Sequence, residues 1–301
     1  MQKIPLYVNK LVIIGGTGTL GTELAKRLKG HSNIHIVSRG EHSQQEMKKE
    51  YPEFHYHICD IRDKSGLNQI IKKADTVFHF AALKSIDVCE QNPIESLKTN
   101  TLGTINIAEL CIEHKVKRFI FSSTDKAVDP ISSYGYAKAM SEKILHHYNK
   151  MQNDCSFFIF RWGNIINSKG SAIPFFIKQI YYDKKISLTN PNMTRFFMKI
   201  ETAVDYMLDV LIKNKTNLDN HVFIPREIKS AKVTSVISCL DALMRKHHDS
   251  NPVKIIETGI RGCEKLDEQL ISIHEQNKLN SKDVIMNDEE LRCLLEPLIK
   301  M

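Results

Sequence analysis

The run Leu11-Val12-Ile13-Ile14 followed by Gly15-Gly16-Thr17-Gly18-Thr19-Leu20-Gly21 constrains this chain more than any other stretch. A short apolar run rich in β-branched residues reads as a buried strand, and Thr22 to Leu28 continues with helical spacing. Strand, glycine turn and helix in that order give each glycine of the GxxGxxG spacing a job. Gly15 makes a tight turn, Gly18 lets a pyrophosphate approach the backbone, and Gly21 lets the helix pack on the strand. The bare N–H groups and the dipole of the helix start favour the phosphates. The pattern therefore predicts a bound dinucleotide held by Gly15, Thr17, Gly18, Thr19, Leu20 and Gly21.

Further strands follow at regular intervals. Ile34 to Val37 is the second, and it ends in Ser38-Arg39 where an NAD site would place an acid for the ribose 2′-hydroxyl. A hydroxyl and a fixed cation suit a 2′-phosphate, so NADP is expected. The nearby Glu41 keeps NAD open as a second reading. Ile58-Cys59-Asp60-Ile61-Arg62 ends a third strand, with Asp60 placed to accept from the adenine amine and Ile61 beside it. His55 and His57 share a face of that strand. No third ligand adjoins them, so they read as surface residues and no metal is expected. Asp75 to Phe80 is the fourth strand. Ala81 and Ala82 would let a cofactor pass close to the backbone, and Lys84 follows at the strand end. Pro93 starts a helix carrying Asn100, Gly103 and Asn106, with Asn100 a further cofactor residue.

The fifth strand, Phe119 to Ser123, delivers the chemistry. It runs into Ser122-Ser123-Thr124-Asp125-Lys126, and Tyr134-Gly135-Tyr136-Ala137-Lys138 follows. Ala137 to Tyr148 has helical spacing, with Met140, Ile144 and Leu145 as its apolar stripe. If the helix has begun by Tyr134, then Tyr134 and Lys138 lie one turn apart on one face. A hydroxyl, a phenol, a carboxylic acid and two amines thus meet at one strand end, where open parallel sheets bind ligands. This set supports acid–base chemistry beside a hydride carrier. Ser156 to Phe160 is a sixth strand, ending in Arg161-Trp162-Gly163-Asn164. Asn190 to Phe196 reads as a polar loop with one arginine, and His221 to Pro225 as a returning strand. The remainder reads as helical apart from Val253 to Ile256.

Strands alternating with helices call for an α/β fold, a doubly wound parallel sheet of Rossmann type with a smaller, mostly C-terminal cap. The expected division is an NADP-binding domain over residues 1–162, with 196–225 returning to it, and a nucleotide-sugar-binding cap over 163–301. The substrate is expected between the two. The 301 residues suffice for this, and 42% apolar with 26% charged is ordinary for a soluble protein. The formal charge of +7 is spread along the chain, which argues against a nucleic-acid tail. Seven cysteines without a CxxC pair read as reduced thiols of a cytoplasmic protein, and no apolar run is long enough to span a bilayer.

These residues resemble the extended short-chain dehydrogenase/reductase family, and within it the soluble bacterial inverting UDP-N-acetylglucosamine 4,6-dehydratases (5-epimerising). The resemblance covers nearly the whole chain. It is carried by Gly15 to Gly21, His79 to Asp87, Lys98 to Gly103, Ser122 to Pro130, the Tyr134/Lys138 pair, Arg161 to Ser171, Pro174-Phe175-Phe176, Met193 to Phe196 and Glu257 to Leu266. Thr124-Asp125-Lys126-Ala127 is its most specific part, since retaining sugar dehydratases have an Asp–Glu pair there. Gly262-Cys263 stands where the family commonly has Pro-Gly, and Trp162 where it usually has Tyr.

The resemblance implies that Tyr134 takes the C4 hydroxyl proton, assisted by Lys138 and the oxidised nicotinamide, while Thr124, or less directly Ser123, holds the same oxygen. It further implies that Lys126 removes the C5 proton and Asp125 protonates the departing C6 hydroxyl. Lys84, Asn164, Ser171, Pro174, Thr194, Arg195, Arg261 and Glu264 would bind the UDP-sugar, with Arg195 a clamp on the diphosphate. A homo-oligomer, dimer or hexamer, is implied as well. A nucleotide-sugar 4-epimerase, needing only Tyr134 and Lys138, and a non-catalytic NADP-binding protein are the alternatives.

Overall fold

A computed structural model describes residues 9–31, 33–216, 221–225, 227–246, 252–272 and 279–299. They fall into two compact units, one of residues 1–161 with 201–224 and one of 162–200 with 225–301. Each is described by itself.

The first unit is built on repeated strand–helix pairs. They are β1 (Leu11–Ile14), α1 (Thr19–Arg27), β2 (Ile34–Ser38), α2 (Glu41–Glu50), β3 (His55–Ile58), α3 (Lys64–Ile71) and β4 (Thr76–His79). Short helices α4 (Ile86–Gln91) and α5 (Pro93–Ser96) follow, then a π-helical segment (Leu97–Leu102) that runs into α6 (Gly103–Glu113). Next come β5 (Arg118–Thr124), a 3₁₀ turn (Asp125–Ala127), α7 (Ser133–Met151) and β6 (Ser156–Trp162).

The second unit supplies β7 (Asn164–Ile165), α8 (Ala172–Lys178), a π-helical turn (Gln179–Asp183), β8 (Lys185–Leu188) and β9 (Thr194–Met198). The chain then makes α9 (Ile200–Lys213) and β10 (Val222–Phe223). It ends with β11 (Lys229–Lys232), α10 (Val233–Arg245), β12 (Lys254–Glu257), β13 (Gln269–Ile271), β14 (Leu279–Asn280) and α11 (Asp288–Ile299).

The seven-stranded sheet has the order β3-β2-β1-β4-β5-β6-β10. The pairs β1–β2, β1–β4, β2–β3, β4–β5 and β6–β10 are parallel. This is the doubly wound fold that the sequence predicts. The order reverses between β1 and β4, and that reversal opens a crevice at the strand carboxyl ends. One face is filled by Val12, Ile14, Val77, Phe119, Phe121, Phe157 and Ile159 under Ile107 and Leu110. Each such side chain contributes about 1.5–3 kcal/mol by leaving water.

In the second unit β11-β9-β7 form one small sheet, β12 pairs with β8, and β13 with β14. Ile166, Ile173, Phe176, Leu188, Phe197, Ile237, Leu240 and Leu295 make its core.

The sequence reading needs four corrections. Thr194 to Phe196 is not part of a loop but opens β9, which pairs with β11. The region after Pro225 holds β11, β13 and β14 besides β12, so it is not helical throughout. β3 stops at Ile58, which leaves Asp60 beyond the strand end. The apolar stripe of α7 is buried only in part: Leu145 is enclosed but Met140 is 54% exposed, and the buried face is Tyr134, Ala137, Lys138, Ser141, Glu142, Leu145 and Asn149. None of the seven cysteines is in a disulfide. Among the described residues no helix is long and apolar enough to cross a membrane.

Candidate active site

The glycine turn lies at the switch point. Gly15 adopts φ +79°, and a Cβ there would sit 2.5 Å from the Ala81 amide nitrogen. Only glycine therefore lets the turn after β1 touch the chain after β4. A Cβ on Gly21 would overlap Gly16 Cα at 2.5 Å, so α1 packs directly on the turn. Gly16, which the spacing argument passed over, is itself crowded by Ile36 at 2.8 Å. The α1 amino end begins after Gly18 with no side-chain cap and no acid in its first turn. Bare N–H groups there, with positive dipole and no competing carboxylate, fit a pyrophosphate.

At the end of β2 the Ser38 hydroxyl accepts from Gln44 Nε2 at 2.9 Å and keeps its own proton to donate. Arg39 is only loosely paired, 3.7 Å from Asp60. Asp60 is held by Arg62, with contacts of 2.7 and 3.0 Å from the guanidinium and 2.9 Å from the backbone nitrogen. That grip, led by the side-chain hydrogen bond, holds the Asp60 carboxyl below its usual range. Ile61 is buried against Gly103. Asn100 lies inside the π-helical segment and spends both ends of its amide on Leu83, each at 2.8 Å. It therefore positions the loop of Ala81, Ala82 and Lys84, and Lys84 itself is exposed.

The strand end of β5 gathers the reacting candidates. Thr124 caps the 3₁₀ turn, accepting from Lys126 N at 3.3 Å, and donates its hydroxyl proton to Asp125 Oδ1 at 2.8 Å. Lys126 Nζ donates to the same Oδ1 at 2.9 Å. Asp125 is buried, and its Oδ2 has no hydrogen-bond partner among the described residues. Ser132 caps α7 by accepting from Gly135 N at 3.1 Å, which sets Tyr134 and Lys138 one turn apart on the buried face. Gly135 is needed here because a Cβ would overlap the Lys126 carbonyl.

Tyr134 hydrogen-bonds Thr124. Burial pushes its phenol up to about 12, against the pull of the Lys126 charge. Lys138 is fully enclosed, and burial lowers its amine to about 7 although Glu142 acts to raise it. Its Nζ lies 3.8 Å from the Phe121 ring centre.

Ser123 leaves the candidate set. Its hydroxyl donates to Glu142, while Thr124, the last residue of β5 and the cap of the turn that follows, meets Tyr134. Glu142 is also gripped by Arg161, with contacts of 2.8, 3.1 and 3.2 Å. The sequence reading missed both members of this pair. The available signal was Glu142 standing one turn beyond Lys138 and two beyond Tyr134.

In the second unit Thr194 Oγ1 donates to Asp267 Oδ1 at 2.6 Å. Arg195 donates to the carbonyls of Thr194, Leu266 and Lys265 at 2.8–3.0 Å. Arg261 pairs with Glu264 at 2.6 Å. Burial pushes Glu264 up, but its hydrogen bonds from Arg261 and the charges of Arg261 and Arg195 leave it below its usual value. Two guanidiniums thus gather about one carboxylate. Asn164 lies on β7, Pro174 within α8, and Ser171 starts α8 without capping it.

His35 of β2 joins the two histidines of β3, its Nδ1 2.8 Å from His57 Nε2 and its ring stacked on His55 at 4.6 Å. Among the described residues no group of three or more such side chains is arranged to hold a metal. A cavity of about 690 Å³ beside Arg39 and Asp60 contains none of the reacting candidates.

Residues 11–290 match the family model described as polysaccharide biosynthesis protein. A UDP-glucose 4-epimerase of Rickettsia bellii is 34% identical over 284 residues, covering 91% of this chain and 81% of that protein. The structure of Pen from Bacillus thuringiensis superposes with a TM-score of 0.88 at 28% identity, over 95% of this chain and 96% of that one. A dTDP-glucose 4,6-dehydratase of Streptomyces venezuelae shares the fold, with a TM-score of 0.76 at 17% identity over 85% and 86% of the two chains.

The state of Lys138 has a consequence for stability. Its ordinary value is 10.5 and its folded value about 7, so between the two the unfolded chain holds more protons. This group therefore adds stability as pH rises from 7 to 10.5, and below 7 its burial is a full penalty. Lys138→Met in the nucleotide-stripped protein should unfold at a higher temperature than the wild type at pH 7, by several degrees if the penalty is on the order of a few kcal/mol. The gap should close towards pH 10. Thermal unfolding across that range checks it, and a variant less stable at pH 7 would refute the reading.

Proposed function

This chain belongs to the polysaccharide biosynthesis protein family and is an enzyme of the nucleotide-sugar epimerase/dehydratase class; within that class we propose that it is a UDP-N-acetylglucosamine 4,6-dehydratase acting with inversion at C5. One observation carries the proposal: a buried acid hydrogen-bonded to an amine, Asp125 and Lys126, at the strand end where Tyr134 and Thr124 meet. An epimerase has no use for that pair.

The chemistry is redox-neutral. The bound nicotinamide would accept hydride from C4 of the sugar and return it at C6. Tyr134 removes the C4 hydroxyl proton, and Thr124 holds that oxygen. The phenol cannot do this at about 12. Positive charge from Lys138 and the oxidised ring would bring it down. The C4 ketone then makes the C5 proton acidic enough for Lys126 to take. Asp125 gives a proton to the C6 hydroxyl, which leaves as water. Hydride at C6 and a proton at C5 from the opposite face complete the 4-keto-6-deoxy product.

The ion pair and the working pair carry the same number of protons. Moving one proton across the 2.9 Å hydrogen bond converts ammonium and carboxylate into amine and acid. Closing the site over a sugar removes water and favours that neutral form. In the second unit Arg261 would hold the diphosphate, which guanidinium matches bidentately, while Arg195, its terminal donors spent on carbonyls, would contribute only its charge.

The free donor of Ser38 and the loosely held Arg39 support NADP as cofactor. Arg39→Ala should weaken NADP about tenfold or more with little change for NAD. Calorimetric titration checks this, and tighter NAD binding by the wild type would overturn it.

Ile94, Leu97, Leu102, Tyr136 and Met140 are exposed on α5, the π-helical segment and α7, and they support a homo-oligomer. Light scattering at micromolar concentration should give at least twice the chain mass; a single-chain mass removes this proposal.

The relative named as a UDP-glucose 4-epimerase favours a second reading, and one experiment separates the two. Turnover of UDP-N-acetylglucosamine in deuterated water should place deuterium at C5 and none at C6. Lys126→Ala should still show reduced-nicotinamide absorbance while releasing no 4-keto-6-deoxy product. An unlabelled C5 with C6 oxygen retained, or full turnover by Lys126→Ala, would assign the epimerase instead.

A further inference from the structure

Three buried groups beneath the reacting side chains take no part in the steps above. Glu142, Arg161 and Ser123 are 3, 6 and 4% exposed. The Arg161 guanidinium grips both carboxylate oxygens of Glu142, and Ser123 donates to one of them. These contacts join α7 to the ends of β5 and β6, which are neighbours in the sheet. Glu142 lies one helical turn from Lys138, and Ser123 precedes Thr124 in the chain. An ion pair serving stability alone would be replaced by apolar side chains at little cost. This one stands where two catalytic candidates take their positions.

Its charges are arranged unequally. Glu142 has cations on either side, but Arg161 takes its oxygens while Lys138 feels it only through space. Lys138 therefore stays over the Phe121 ring rather than collapsing into an ion pair. The other ionisable groups nearby are His79 of β4, kept neutral by burial and by the Lys138 charge, and Tyr134 on α7. Asp125 and Lys126, on the turn after β5, act on Tyr134.

We propose that Glu142 is the positioning residue of this site: held by Arg161 and the Ser123 hydroxyl, it locks the Lys138 turn of α7 to the end of β5 and sets the field at the Lys138 amine. The proposal rests only on hydride transfer assisted by Tyr134 and Lys138, common to both functional readings. Removing Glu142 takes away negative charge near Lys138 and leaves Arg161 as a buried cation, so the amine gives up its proton more readily. Removing Arg161 frees Glu142 to pair with Lys138, so the amine holds its proton more tightly. Removing both restores a neutral surrounding.

The test uses the full chain with its bound nicotinamide measured. Lysine side-chain carbons are followed by NMR against pH, with the Lys138 signal assigned by its loss in Lys138→Met. Glu142→Gln should lower the Lys138 midpoint by about one unit and Arg161→Gln should raise it by about one unit; the double variant should return near the wild type. Single-turnover reduction of the bound cofactor by UDP-N-acetylglucosamine should slow about tenfold in each single variant, with sugar affinity within about threefold. Midpoints that stay put, or move the same way in both single variants, would overturn the proposal.

Should the single variants fail to fold, the Gln/Gln double variant and Ser123→Ala carry the test. Ser123→Ala should slow reduction several-fold at unchanged sugar affinity, because one anchor of Glu142 is lost. Unchanged rates overturn the proposal. Failure of the wild type to reduce its cofactor with any UDP-sugar would count against the functional reading, while the NMR arm still decides the role of Glu142.

Discussion

A helix that buries a phenol, an amine and a carboxylate along one face is the constraint around which the first unit is organised. Tyr134, Lys138 and Glu142 are successive turns of α7, and all three are enclosed. Such a face is expensive to desolvate unless each charge finds a partner. Glu142 finds Arg161 and Ser123, and Lys138 finds the face of Phe121, a contact worth about 0.5–2 kcal/mol. The helix must then enter with a fixed phase. Ser132 sets that phase as cap, and the absent side chain of Gly135 lets the turn carrying Lys126 lie against the helix start. Tyr134 thereby meets Thr124 rather than solvent.

The same helix is tied to the loop after β4. Ser141 donates to the Asn100 carbonyl at 2.9 Å, and Thr101 to the Ala137 carbonyl at 3.0 Å. These bonds fasten the π-helical segment to the turn that carries Lys138. Asn100 in turn clamps Leu83, and the chain just before it touches the glycine turn at Gly15. A continuous set of contacts thus runs from α7 to the glycine turn after β1. A π-helical turn widens the helix by one residue, and such turns recur at functional sites. Here it aims the Asn100 side chain at the loop and leaves its carbonyl to α7.

Most of the sheet was legible because β1, β2, β5 and β6 are largely apolar runs closed by glycine, serine or a charge. The phase of Tyr134 and Lys138 was legible because helical spacing alone fixes it. The buried face of α7 was not, because the rule that apolar residues point inward selected Met140 with Ile144 and Leu145. Met140 faces outward, and the interior takes Lys138 and Glu142 instead. Only the partners on β5 and β6 make that possible, and they are distant in sequence. His35 escaped for a related reason, since it meets His55 and His57 through strand pairing. In the second unit β9 was hidden because Thr194-Arg195-Phe196 carries a buried threonine and an arginine whose donors are consumed by carbonyls. Conversely Ile255 and Ile256 announced a strand although β12 is exposed throughout, because pairing with β8 rather than burial forms it.

The pair at the end of β5 is where the structural and the chemical readings of the site part. Asp125 is 1% exposed, with Oδ1 shared by Thr124 and Lys126 and no partner for Oδ2 among the described residues. A buried ion pair is at best weakly stabilising, so packing alone gives little reason to keep one at a strand end. The alternative 4-epimerase would leave the pair without a chemical role, because Tyr134 and Lys138 would suffice to take hydride from C4 and give it back. The proposed dehydratase would use it. On that proposal the C6 oxygen of the sugar would accept from Asp125, and the proton held between Lys126 and Asp125 is the one the departing oxygen needs. Lys126, having surrendered it, is then the amine that receives the C5 proton. The proton count of the pair is the same before and after elimination, so on that proposal elimination itself would draw no proton from solvent.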